Sequence, residues 1–263
     1  MRIALPILLL GLLVSSTGWT QPPMAPQITP HMSRQAPTIV GYAYHERTGA
    51  LFFTEAYRNR FDQQGRLLSS AVEYRPAQGN TPLASKALDY AKHPYAPEFT
   101  FANHAADYQE ALYWQGPDQV LVRCKEAGEE WRERRLRIPE PVVADAGFDA
   151  FLKDNMDTLR AGQPLQFNFI NPARLDWFRF RAEPLEQSPH TITLRVYPEN
   201  TLLRWLVDPI LLTYELGTNP DARPQLMHYS GQTNMQLSGD QPVVANIFYE
   251  YPQQPAQPIV NLF

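Results

Sequence analysis

One cysteine, Cys124, stands in a chain of 263 residues, so no disulfide can form within it. Its setting, Val120-Leu121-Val122-Arg123-Cys124, reads as a buried strand position. Basic charge is also short: 23 Lys and Arg oppose 27 Asp and Glu, for a net −4. That balance lacks the basic footprint of general nucleic-acid binding, and no nucleic-acid partner is expected. No apolar run reaches the roughly 20 residues that a spanning helix needs. Catalytic signatures are missing as well. There is no GxSxG elbow, no phosphate-cradling glycine loop and no dinucleotide fingerprint. His45-Glu46 lacks the second histidine of the HExxH zinc motif, and the six histidines are scattered. No metal or cofactor is expected. The carboxylate pairs Glu129-Glu130 and Asp107-Glu110 read as solvated charge in surface turns.

What is present begins with a targeting pattern. Arg2 precedes a short apolar run, Ile3 to Val14, and Ser15 to Gly18 are small and polar. This reads as a secretory signal peptide over residues 1–20, cleaved near Gly18 or Thr20, which places the protein in the periplasm. An uncleaved anchor is the alternative. Losing Arg2 leaves 22 basic residues against 27 acidic ones, a formal charge of −5. Residues 21–37 hold five prolines and read as a flexible lead-in; residues 252–263 read as a proline-rich tail. Phe263 matches the terminal aromatic of outer-membrane barrels, but Pro252, Pro255 and Pro258 break any long last strand. The chain is not expected to cross the membrane once the signal segment is removed.

Between these ends, with 25 prolines and 13 glycines over the whole chain, short alternating segments dominate. Strands are expected at 39–45, 51–61, 67–75, 99–104, 108–114, 119–125 and 130–138. More follow at 165–169, 175–182, 191–197, 210–216, 225–230 and 243–251. Residues 83–91 are ambiguous between strand and helix. One amphipathic helix interrupts them at about 145–161. Phe148, Phe151, Leu152, Met156 and Leu159 share a face, with Asp145 as N-cap and Gly162 as the stop. A second, short helix is expected at about 201–207. The predicted fold is mainly β: one large curved antiparallel sheet or open half-barrel, residues 38–251, wrapped around the amphipathic helix. Two domains divided near Pro139 are the alternative.

Two constellations could hold a site. Phe167, Phe169, Phe178, Phe180, Leu202, Leu203, Trp205 and Leu206 could line an apolar cavity for a lipid or other apolar small molecule, with the short helix as its lid. Core packing against the main helix explains the same residues. Arg135 and Arg137 share a strand face with Trp131, and their forked guanidinium groups suit an anion. A charged edge strand that discourages sheet-to-sheet aggregation explains them equally.

Four stretches carry a resemblance. They are Asp145-Ala146-Gly147-Phe148-Asp149, Leu165-Gln166-Phe167-Asn168-Phe169, residues 198–216 and Tyr229-Ser230-Gly231-Gln232-Thr233-Asn234. Over residues 39–251 the chain resembles uncharacterised exported proteins of Gram-negative bacteria with a β-rich domain of unknown function. Their shape is similar to the half-barrels of outer-membrane lipoprotein carriers, though this chain has no lipobox. The resemblance implies no catalytic residues. The expected function is therefore non-enzymatic: periplasmic binding or envelope maintenance, with an apolar ligand inside the half-barrel. The alternatives are a structural module with a filled core that meets an envelope protein partner, and a hydrolase with an unrecognised site that draws on His45, His104 or His228.

Overall fold

Fifteen strands join into one sheet in the computed structural model, which describes residues 36–201, 208–217, 223–236 and 243–252. The first half runs β1 (Ile39–His45), β2 (Leu51–Phe61), β3 (Leu67–Pro76), β4 (Ala84–Asp89), β5 (Glu98–Asn103), β6 (Tyr108–Trp114), β7 (Gln119–Lys125) and β8 (Arg132–Arg137). Then come β9 (Val142–Val143), α1 (Gly147–Asp154), α2 (Met156–Arg160) and β10 (Leu165–Asn171). A 3-10 turn (Pro172–Arg174) leads into β11 (Asp176–Gln187), β12 (Thr191–Pro198), β13 (Ile210–Glu215), β14 (Gln225–Gln232) and β15 (Val244–Glu250).

Nearly every strand pairs antiparallel with its sequence neighbour, because short turns favour hairpins. In the turn after β2, Asp62 accepts the amides of Gln64 and Arg66 at 2.9 and 2.8 Å, and Gly65 takes a positive φ of 77°. Two junctions depart from the meander. β1 pairs with β15, which joins the two halves, and the two-residue β9 pairs parallel with β10. β8 and β9 form the two free edges, so the sheet stays open. The segment that was ambiguous in sequence is the strand β4.

Strand alternation decides which side chains enter the concave face. On β2 these are Phe53, Glu55 and Tyr57; on β12 they are Ile192, Leu194 and Val196. On β1 the inward residues are the small ones, Gly41 and Ala43, and Tyr42 and Tyr44 stand on the opposite face. Gly41 leaves room for its neighbours. A Cβ there would come within 2.9 Å of the Tyr249 ring and 3.2 Å of a Glu55 carboxylate oxygen.

The amphipathic helix is present but divided, not continuous over 145–161. Asn155 breaks it with φ −108° and ψ 17°, and its side-chain amide donates to the Phe151 carbonyl at 2.8 Å. A side chain that bonds locally to the backbone competes with the helical ladder, which accounts for the break. Asp145 is not the N-cap. Ala146 holds that position without a side-chain cap, and Asp145 sits in the left-handed region at φ 45°. Gly162 ends the second helix at φ 78°, as expected.

Phe151, Leu152, Met156 and Leu159 bury their stripe against Phe167, Ala182, Leu194, Leu212 and Tyr214 of the second half. Burial of each such side chain is worth about 1.5–3 kcal/mol. A separate core, built on Phe53, Val72, Phe99, Phe101, Leu112 and Val122, fills the first half. The expected short helix at 201–207 lies outside the described residues, apart from Thr201, as do the signal segment and most of the lead-in and tail.

Candidate functional site

The two cores do not meet everywhere. Between them, under the helix, lies a cavity of about 1920 Å³. One part of its lining is apolar: Phe148 of α1, Phe167 and Phe169 of β10, Phe178 and Phe180 of β11, and Leu212 of β13. Four of these rings pack together. Phe148 lies 5.4 Å from Phe167 and 6.4 Å from Phe169, and Phe180 lies 6.1 Å from Phe167 and 5.7 Å from Phe169. These separations are ordinary for aromatic pairs.

The other part is polar and comes chiefly from the first half. Lys86 on β4 reaches the Asp145 carboxylate, Nζ to Oδ2 2.6 Å, and lies over the Phe101 ring at 5.2 Å. The left-handed backbone at Asp145 aims that carboxylate away from the helix it precedes; its other oxygen accepts the Ala146 amide at 2.7 Å. Burial works against the Lys86 ammonium. The adjacent Asp145 carboxylate, with Tyr74 and Glu110 adding to it, outweighs that burial, and the amine's pKa lies above its usual value.

Two further carboxyls line this part, Glu55 at 5% exposure and Glu110 at 7%. Tyr57 donates its hydroxyl to Glu55 at 2.8 Å, and Tyr249 donates to the same oxygen at 3.4 Å. Tyr108 donates to Glu110 at 2.8 Å. Burial raises the pKa of both carboxyls. For Glu55 the tyrosine hydroxyls and the nearby Lys86 charge pull it partly back; Glu110 is pushed up to about 7. Tyr74, Tyr90 and Tyr229 complete a largely aromatic wall.

All four described members of the predicted apolar set, Phe167, Phe169, Phe178 and Phe180, line the cavity. Leu202, Leu203, Trp205 and Leu206 lie outside the described residues. Arg135 and Arg137 are not brought to the cavity. They are exposed on the edge strand β8, on the face opposite the buried Leu136, with Arg137 4.0 Å from Asp118. Cys124 is buried on β7. The histidines considered for hydrolysis stand away from the cavity lining. His228 stacks on Phe248 at 4.5 Å, His45 packs on Phe52 at 4.9 Å, and His104 is exposed.

Glu110 corrects an expectation, because it lies mid-strand with its carboxyl inside and is not part of a surface turn. The polar part as a whole escaped sequence reasoning. Each member is an isolated charged or phenolic residue on a different strand. The one available signal was a charge on the apolar side of an alternating strand, as with Glu55 between Phe53 and Tyr57. No protein-family model, curated protein or solved structure matches the chain.

Proposed function

We propose that this is an exported binding protein of the bacterial envelope whose open half-barrel holds a lipid or other molecule with an apolar body. The cavity carries this reading. About 1920 Å³ bordered by seven phenylalanines exceeds the roughly 300–1,000 Å³ of ordinary small-molecule pockets, and suits a ligand with a long hydrocarbon segment. Space left inside the sheet counts against the filled-core alternative. Export is supported by Arg2 and the apolar run after it, and no described helix is long and apolar enough to cross a membrane.

Native mass spectrometry of protein purified from the periplasm without detergent tests the reading. An added mass that leaves on organic extraction is the expected result. A bare polypeptide mass, together with no binding of N-phenylnaphthylamine, overturns it.

A further inference from the structure

The cavity's charges are not balanced at its polar end. Elsewhere in the lining, carboxylates face cations: Asp149 meets Lys153 at 2.7 Å, Asp154 meets Arg223 at 2.8 Å, and Asp145 meets Lys86. Glu55 and Glu110 have no basic side chain within ion-pair distance among the described residues, only tyrosine hydroxyls. Lys86, the buried cation nearest to them, is already neutralised. Ser70 adds a second sign of an unmet partner. It lines the cavity at 5% exposure, one inward position along β3 from Val72, which pairs with Lys86, and its buried hydroxyl has no hydrogen-bond partner. Buried polar groups in folded proteins are nearly always satisfied, so such a group inside a cavity marks a place for a ligand or water.

We propose that this end receives the positively charged head of an amphiphilic ligand, an alkylammonium group, while the phenylalanine end takes its hydrocarbon chain. The proposal rests on the cavity being a binding site. An ammonium N–H can donate to Glu55 or to Glu110, which have three strands between them in the sheet. The faces of Tyr57, Tyr74 and Tyr249 offer the negative ring surface that favours a desolvated cation. The incoming charge would relieve the burial cost that two carboxyls bear without a counter-ion. A carboxylate or sulfate head would meet three acidic groups and one amine that is already paired.

Matched single-chain probes test this: dodecylammonium, dodecanol and dodecanoate below their micellar concentrations, titrated into the purified protein by calorimetry. We expect dodecylammonium to bind about tenfold tighter than dodecanol, and dodecanoate to bind weakest. In Glu55→Gln/Glu110→Gln the ammonium preference should fall to within about threefold, with dodecanol affinity unchanged. Dodecanol thus doubles as the check that the variant folds. The ammonium preference of the wild-type protein should also rise between pH 6 and 8, as Glu110, facing Tyr108, Lys86 and Asp145, gives up its proton. Equal affinities for the three heads overturn the headgroup assignment and leave the cavity reading standing. Failure of all three to bind overturns both.

Discussion

The Lys86 ammonium and the Asp145 carboxylate approach to 2.6 Å, with side-chain exposures of only 7% and 10%. The pair fastens the start of α1 to the fourth strand across the concave face, so the helix and the first half of the sheet share one electrostatic clasp. Removing one partner strands a buried charge, which typically costs about 3–5 kcal/mol. Lys86→Met and Asp145→Asn should each destabilise the protein by that order, and the double variant should recover part of the loss. Urea unfolding measures this. Losses below about 1 kcal/mol for both single variants would mean that the clasp contributes little.

Gly147 lets the helix start pass beneath the Tyr95–Pro97 loop. A Cβ there would lie 2.2 Å from the Tyr95 carbonyl oxygen and 2.7 Å from Pro97 Cδ. The obstruction is backbone and ring, neither of which can swing aside. Gly147→Ala should therefore cost about 1–3 kcal/mol or more. Gly116→Ala, where nothing lies within 4 Å, should stay within about 0.5 kcal/mol. Equal melting temperatures for the two variants would contradict this close approach.

Stability should also depend on pH through Glu110. Its carboxyl moves from an ordinary 4.5 up to about 7 in the folded protein. Between those values the folded state holds a proton that the unfolded state has released. The contribution is complete below pH 4.5, declines as pH rises and is gone above about 7. Its size is about 3 kcal/mol. Glu110→Gln should flatten that slope and unfold later than the wild type at pH 8. Denaturant midpoints at pH 5 and 8 decide it, and parallel slopes in the two proteins would refute the assignment.

Phe167 and Phe178 border the same cavity but differ in burial. Phe167 is 1% exposed, and Phe178 is only half-buried. Phe167→Ala should cost about 3–5 kcal/mol. Phe178→Ala should cost less than about 1.5 kcal/mol and weaken apolar-probe binding. A Phe178→Ala protein with wild-type probe affinity would place the ligand elsewhere.

The strands were legible because alternation is a local property. Thirteen segments written from periodicity recur as strands within a few residues. Val142–Val143 was missed because two residues hold no period. The helix break at Asn155 was missed because the apolar stripe runs through it unchanged, while the side-chain bond to Phe151 is invisible in a hydrophobic pattern. The phenylalanine half of the cavity could be read because Phe167, Phe169, Phe178 and Phe180 sit on two adjacent strands of one hairpin. Glu55, Lys86, Glu110 and Asp145 come from three strands and a helix entry. Their convergence depends on sheet curvature and on a positive φ at Asp145, neither of which any short window encodes.

The pairing of β1 with β15 also bears on how the chain reaches this shape. Tyr42 and Glu250, which meet across it, are 208 residues apart in sequence, whereas most other ladders close through a short turn. Loops of that length close slowly and reward little until both sides are formed. Two meanders that assemble separately and zip together last along this ladder are the expected order of events. The polar end of the cavity, where Glu55 meets Tyr249, would then be completed only in the final step.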